Sequence, residues 1–145
     1  MINKALKSSN FMESFEGIKI KKYIPVDPKD PKGVTYDWCK GETGLQVTIC
    51  KRKKGIIFGN HYHKGEDPSK NPEKIFLING KVRMKAENKL GQRFDIIIEE
   101  DCEIIIQPNV LHIFEALTDV AFIEYRSTVY DKEKPDTYPA NTYKN

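Results

Sequence analysis

The dipeptide Asn79-Gly80 constrains the fold of this chain more than any other feature of its sequence. Both residue types tolerate the positive φ angles of a two-residue type I′ turn, which joins neighbouring antiparallel strands. The turn follows the apolar residues 75–78 and precedes residues 81–86, in which cations alternate with apolar side chains. Such alternation places the apolar groups on one face of a strand. The sequence therefore predicts an antiparallel β-hairpin here.

Short segments with strand character recur along the chain and are separated by Gly, Pro, Asn and Asp. They lie at residues 17–21, 45–50, 55–58, 94–98, 103–107, 112–116 and 121–126. The helical candidate is the short segment 11–15, whereas residues 27–33 and 64–72 have the composition of loops. Eight or nine short strands of this kind indicate an all-β fold, either a sandwich or a barrel.

The chain has 145 residues, the length of one domain, and contains no internal repeat, low-complexity segment or linker. We expect a single domain over residues 1–145, with the site at about residues 45–126 and a polar tail at 132–145 that is draped over the barrel or partly disordered. No run of about 18 apolar residues is present, so no membrane span is predicted. Residues 1–10 lack the features of a secretory signal, which predicts a cytoplasmic location.

Charge and cysteine content argue against several other classes. The net charge of +3 is small, and the cations at residues 51–54 are interpreted as a solvated strand end rather than a nucleic-acid surface. Cys39, Cys50 and Cys102 are odd in number and form no C-x-x-C pair. They predict reduced thiols rather than a disulfide framework or a zinc ribbon. No nucleic-acid partner is expected.

The histidines of the chain are His61, His63 and His112, and Glu73 lies between the last two in sequence. Because side chains alternate along a strand, His61 and His63 project to the same side. If Glu73 begins the next strand, its neighbours on that face are apolar, and a buried carboxylate needs a counter-charge. A divalent ion held by the four side chains would supply it, and zinc, iron, manganese or nickel suits these donors. The alternative is a surface His-x-His pair with a solvated Glu73.

The same residues resemble the two motifs of the cupin superfamily. The similar segments are Gly55-x5-His61-x-His63 with Glu73-x6-Gly80, and Asp101-x5-Gln107-Pro108-Asn109-x2-His112. The resemblance implies a cupin-type double-stranded β-helix, which is a jelly-roll barrel. It also implies a divalent metal ion bound by His61, His63, Glu73 and His112.

The chain departs from the cupin pattern at several positions. Asp101 and Asn109 replace glycines of the second motif, and Gln107 replaces a proline. The gap at residues 64–72 is longer than the corresponding gap of the first motif, and we interpret this inserted loop as a candidate lid over a pocket.

A narrower resemblance extends beyond these motifs. Residues 59–63, 70–76 and 135–138 look like the cupin domain at the C-terminus of capsular-polysaccharide enzymes, although that family usually has Arg at the position of Phe58. Related small cupins epimerise or isomerise 4-keto sugars. The resemblance therefore implies an isomerase or epimerase that acts on a nucleotide-activated keto sugar by proton abstraction next to a carbonyl. It further implies a homodimer, formed through residues 17–21 and the C-terminal tail.

Proton abstraction requires a base, for which the sequence offers Glu124, Tyr125 and Arg126. Sequence parity does not fix which of the three faces the barrel, and an exposed ion pair is the alternative interpretation of Glu124 and Arg126. A bound ion would act as a Lewis acid on the carbonyl oxygen. Two other functions stay open: a metal-dependent dioxygenase or lyase on another small molecule, and a non-catalytic cupin that binds a small ligand or a metal.

Overall fold

The computed structural model describes residues 2–5 and 12–144. Within them lie twelve strands: β1 (Ile2–Ala5), β2 (Met12–Phe15), β3 (Ile18–Lys22), β4 (Gln46–Arg52), β5 (Ile57–Tyr62), β6 (Glu73–Asn79), β7 (Lys81–Glu87), β8 (Arg93–Glu99), β9 (Cys102–Ile106), β10 (Leu111–Ala116), β11 (Val120–Arg126) and β12 (Tyr138–Pro139). Two short 3₁₀ helices span Pro68–Lys70 and Ala140–Thr142. The all-β prediction is confirmed.

The strands form two sheets of six that pack face to face. The first sheet has the order β1-β8-β7-β10-β5-β12, and the second has the order β2-β3-β9-β6-β11-β4. Buried side chains from both sheets form one core, among them Met84 and Ile96 from the first and Ile20, Leu77 and Ile104 from the second. This is the jelly-roll arrangement that the sequence predicts. Among the described residues, no helix is long and apolar enough to cross a membrane.

The hairpin predicted at Asn79-Gly80 is wrong, although both of its strands are present. β6 pairs with β9 and β11 in the second sheet, whereas β7 pairs with β8 and β10 in the first. The turn is therefore a corner between the sheets. Gly80 has a positive φ of 90°, but Asn79 does not and remains the last residue of β6. A type I′ turn requires positive φ at both positions, so this turn cannot return the chain alongside itself.

The helical prediction at residues 11–15 is also wrong where the structure describes the segment; residue 11 lies outside the described residues. Met12–Phe15 is β2, which pairs with β3 in antiparallel register from Met12↔Lys21 to Phe15↔Ile18. The two strands are joined at Gly17, whose φ of 94° suits a tight turn. Pairing with a neighbouring strand has overridden a weak local preference.

The strand β4, at one end of the second sheet, turns its polar residues inward. Gln46, Thr48 and Arg52 are half-buried and line a cavity between the sheets. The apolar residues of the same strand point to solvent, with Val47 59% and Ile49 71% exposed. The interior is therefore not uniformly apolar at this end of the barrel.

An outer layer formed by residues 23–43 covers part of the second sheet. Tyr23, Tyr36 and Trp38 pack around Phe76, with ring centroids 5.2, 5.9 and 5.5 Å from it, respectively. The Trp38 indole N–H and the Tyr23 hydroxyl both donate hydrogen bonds to the carboxylate of Glu103 on β9. This face of the sheet is closed by aromatic packing.

Candidate functional site

A cavity of about 320 Å³ lies between the sheets, bordered by β4, β5, β10 and β11. It is lined by the histidines, Glu73, Lys70 and Glu124, and also by phenylalanine rings. Another depression, of about 290 Å³ and on a different part of the surface, contains none of the site residues predicted from the sequence. We therefore take the first cavity as the candidate site.

His61, His63 and His112 converge in this cavity. One ligand atom from each lies within 4.8 Å of the others, and no other such group of metal-binding side chains occurs in the described part of the chain. His61 and His112 are cross-strand partners on β5 and β10. A β-bulge beside this pair includes Gly59 and Asn60, with φ of 82° and 59°. Bulges of this kind re-aim side chains next to functional sites.

Backbone carbonyls orient two of the three imidazoles. His63 Nδ1 lies 2.8 Å from the carbonyl oxygen of Asp136, and His112 Nδ1 lies 3.0 Å from that of Val110. Because a carbonyl oxygen only accepts, each Nδ1 carries the proton and donates. The Nε2 atoms are thereby turned toward the Glu73 carboxylate, at 3.0 and 3.4 Å. Metal-binding histidines are commonly held in this way.

Burial keeps His61 and His112 neutral. It lowers the pKa of His61 to about 3, and repulsion from His112 and His63 contributes to the shift. Burial is also the main cause that lowers the pKa of His112. Neutral imidazole is the form that binds a metal ion. The residues present therefore fit a divalent cation, and the full ligand set with Glu73 stays a prediction.

Glu73 is 4% exposed at the start of β6, as expected for a carboxylate that needs a counter-charge. Burial alone would raise the pKa of Glu73, but its contact with the His63 imidazole and the charge of Lys70 outweigh it and hold the pKa well below its usual range. The Lys70 ammonium lies 2.9 Å from Glu73 Oε1. A side chain of the protein thus supplies a counter-charge that the sequence argument assigned to an ion.

Sequence reasoning missed Lys70, which is only 7% exposed despite its place in a polar loop. Its ammonium lies between Glu73 and Glu124 and bonds to both. Burial alone would lower the pKa of Lys70, but these two carboxylates raise it above its ordinary value. The available signal was its position three residues before a carboxylate that was expected to be buried.

The loop at residues 64–72 is attached at several points. The Asp136 carboxylate accepts hydrogen bonds from the backbone N–H groups of Lys64, Gly65 and Asp67, each at 3.0 Å. Asp67 in turn pairs with Arg126 on β11. These contacts hold the turn that carries Lys70, and the interpretation of the loop as a lid stays a prediction.

The register of β11 places two of the three candidate catalytic groups in the cavity. Glu124 and Arg126 line it, and their ion pair (3.7 Å) is buried rather than exposed. Tyr125 points to the opposite face because side chains alternate along the strand. It packs beside Trp38, and its hydroxyl donates to the Thr43 carbonyl at 2.6 Å. Tyr125 therefore lies outside the cavity lining, and Glu124 and Arg126 remain the candidates.

No protein-family model matches this chain. It is 27% identical over 114 residues to a UDP-2-acetamido-2,6-beta-L-arabino-hexul-4-ose reductase of Pseudomonas aeruginosa. The match covers 75% of this chain but only 29% of the reductase, so the chain spans less than a third of the length of that curated relative.

Many solved structures resemble this one, three of which follow. A dTDP-4-dehydrorhamnose 3,5-epimerase from Sulfolobus tokodaii matches with a TM-score of 0.64, 21% identity and coverage of 90% of this chain and 81% of its own. A sugar 3,4-ketoisomerase from Thermoanaerobacterium thermosaccharolyticum, in complex with TDP, matches with a TM-score of 0.69 and 17% identity, and the match covers 90% of this chain and 93% of the ketoisomerase. A capsular polysaccharide assembling protein from Staphylococcus aureus matches with a TM-score of 0.56 and 22% identity, and the match covers 89% of this chain and 32% of that protein. The chain thus shares the jelly-roll fold of these structures, as its motifs implied.

Proposed function

We propose that this protein is an isomerase or epimerase that moves a proton next to the carbonyl of a nucleotide-activated keto sugar. The observation that carries the proposal is the placement of the Glu124 carboxylate beside the buried Lys70 ammonium in one cavity. A carboxylate and an ammonium that are both largely buried offer a proton acceptor and a positive charge for the oxygen that becomes anionic. The structural neighbours named above include a 3,5-epimerase and a 3,4-ketoisomerase, which supports this class of reaction.

Glu124 is the proposed proton acceptor. Its Oε1 contacts Lys70 and Arg126, whereas its Oε2 accepts no hydrogen bond within the described residues. Every fully buried side-chain polar atom described has a partner, so Oε2 is open to the cavity. The C–H bond next to the carbonyl breaks, its proton passes to Oε2, and the electron pair moves to the carbonyl oxygen. Delivery of a proton from water to the opposite face of the same carbon gives the epimer. Delivery to the former carbonyl carbon, while the hydroxyl of the first carbon passes its proton to the former carbonyl oxygen, gives the isomer.

Lys70 is the proposed stabiliser of the enolate oxygen. Its ammonium is fixed by Glu73 and Glu124, so no reorganisation is needed when negative charge develops on the substrate. The neutral imidazoles of His61 and His112 add polar contacts without adding a second cation.

A divalent metal ion, namely zinc, iron, manganese or nickel, is the proposed cofactor. His61, His63 and His112 would hold it, with Glu73 as the fourth ligand, and a bound ion would polarise the substrate carbonyl. Metal content after dialysis against each ion tests this proposal. We expect about one ion per chain and its loss in His61→Ala with His112→Ala; a metal-free wild type after loading would contradict it.

Deuterium exchange tests the reaction. The protein is incubated with a panel of 4-keto nucleotide sugars in deuterated water, and deuterium at the neighbouring carbons is measured by mass spectrometry. We expect Glu124→Gln to slow incorporation about 10²–10⁴-fold, because the amide cannot accept the proton. Tyr125→Phe is the matched control, since the adjacent side chain faces away from the cavity. If the wild type incorporates no deuterium into any substrate of the panel, the proposed reaction is contradicted.

The convergence of three imidazoles also favours a second candidate, a metal-dependent dioxygenase or lyase. Oxygen consumption by the iron-loaded protein, prepared without air, distinguishes it from the epimerase. A third candidate, a non-catalytic cupin, predicts tight retention of a small ligand without turnover.

The homodimer and the cytoplasmic location remain proposals. β3 is paired with β2 on one side and with β9 on the other, so residues 18–22 offer no free edge to a partner strand. A dimer through the C-terminal tail is compatible with this pairing, and light scattering of the purified protein tests it. A monomer at micromolar concentration would contradict the proposed dimer.

A further inference from the structure

The inward face of β4 is polar, which is unusual for a strand of a barrel wall. Gln46, Thr48 and Arg52 face the cavity together with Cys50, while Val47 and Ile49 are left in solvent. Turning apolar groups outward forfeits the free energy of their burial, roughly 25 cal/mol for each Å². A strand built in this way lines a space that holds water or a polar ligand rather than core.

The cations that line the cavity differ in their partners. Lys70 pairs with Glu73 and Glu124, and Arg126 pairs with Asp67 and Glu124. Arg52 has no direct carboxylate partner among the side chains that the structure describes, those of residues 15–144. The cavity wall therefore carries one guanidinium that no described carboxylate contacts.

Arg52 is also held in place. Its guanidinium lies over the rings of Phe58 and Phe122, with the central carbon 5.5 and 5.7 Å from their centroids. One N–H group donates to the Lys51 carbonyl at 2.9 Å. These contacts limit the freedom of the side chain and leave most of its five N–H donors available. A fixed guanidinium loses little entropy when it forms further hydrogen bonds.

We propose that Arg52 is the binding group for the diphosphate of the substrate, and that the inward face of β4 is the wall against which that anion lies. The planar guanidinium matches two phosphate oxygens at once, which makes it a better partner for a diphosphate than an ammonium. The identity of the ligand as a nucleotide sugar rests on the proposed function, whereas the anionic subsite rests on the unpaired cation.

Calorimetric titration with UDP and with dTDP tests this subsite. We expect Arg52→Gln to weaken binding at least about tenfold, in line with the loss of one charge-assisted pair. Lys51→Gln is the matched control, because it removes the same charge one residue away on the exposed face of the same strand. Binding of the corresponding nucleosides, which lack phosphate, should be equal in Arg52→Gln and wild type.

Several results would overturn the assignment: unchanged diphosphate binding in Arg52→Gln, an equal loss in Lys51→Gln, or no nucleoside diphosphate binding by the wild type. If Arg52→Gln does not fold, Arg52→Lys decides, because an ammonium cannot pair with two oxygens; affinity equal to the wild type then contradicts the proposal. Deuterium exchange is a separate readout. Arg52-dependent binding without exchange would reject the enzymatic proposal alone, and exchange with Arg52-independent binding would reject this one alone.

Discussion

Glu73 and Glu103 lie on paired strands of the same sheet, and both are buried, at 4% and 9% exposure. They face opposite sides of that sheet. Glu73 points into the barrel, where an ammonium and two imidazoles surround it beside a cavity. Glu103 points outward, where neutral donors, the Trp38 indole and the Tyr23 hydroxyl, bind it under an aromatic layer.

The difference shows that the partners of a buried acid, rather than its burial, mark a functional site. Titratable partners around Glu73 shift one another's pKa values and border space for a ligand. Neutral donors around Glu103 both bind one of its oxygens, Oε2. The first arrangement keeps charge available to chemistry, and the second fastens a segment to the sheet.

The same substitution at both acids should separate them, beginning with the largest effect. Glu73→Gln removes the negative charge between Lys70 and the imidazoles of His63 and His112. Breaking a buried ion pair typically costs about 3–5 kcal/mol, and we expect about 3 because Glu124 still contacts Lys70. Urea denaturation measures the free energy of unfolding. A loss under about 1 kcal/mol would place Glu73 in the same class as Glu103.

Lys70→Met should produce the next largest loss, about 2 kcal/mol, because two carboxylates then face each other without their cation. Deuterium incorporation should also fall about 10²–10³-fold if the ammonium stabilises the enolate. Lys74→Met is the control, since the ion pair of Lys74 with Glu42 is partly solvated and worth about 0–1 kcal/mol. Equal losses of stability in the two variants would show that the buried ion pairs of Lys70 stabilise the fold no more than the partly solvated pair of Lys74.

The sequence alone could not predict much of the difference between the surroundings of Glu73 and Glu103. Period-two alternation located most strands, and strand parity placed His61 and His63 on one side. Alternation does not say which face is inside, so the polar interior of β4 was not foreseen. The Asn79-Gly80 pair predicted a hairpin, but β6 and β7 pair with strands of different sheets, so the turn is a corner between the sheets. Lys70 escaped notice because its burial depends on how the tail and β11 hold a polar loop.

Acid should destabilise the protein through His61, which lies on β5 of the first sheet, when stability is measured in the presence of a chelator. The pKa of His61 is lowered from its ordinary 6.5 to about 3, so below pH 6.5 the unfolded chain binds a proton that the folded chain does not. The contribution of neutral His61 to the free energy of unfolding is complete above pH 6.5 and is lost as the pH falls toward 3. After discounting for solvent screening, we expect about 1 kcal/mol. Melting curves of His61→Gln should show a shallower decline; an identical decline would exclude His61 as its cause.

Glu103→Gln should give the smallest change. The amide oxygen can still accept from Trp38 and Tyr23, and no buried cation loses its partner. We expect less than about 1 kcal/mol in urea denaturation and no change in deuterium incorporation. A loss as large as that of Glu73→Gln would show that the outer carboxylate is needed as a charge, and the comparison would fail.

Trp38 is the single tryptophan of the chain, and it lies in the outer layer on Phe76 rather than in the cavity wall. Intrinsic fluorescence excited through its indole therefore reports on how residues 23–43 are seated on the second sheet. Filling the cavity should leave the emission maximum nearly unchanged, whereas detachment of that layer should shift it to longer wavelength. The chain thus carries an optical probe for the face of the barrel that takes no part in the proposed chemistry.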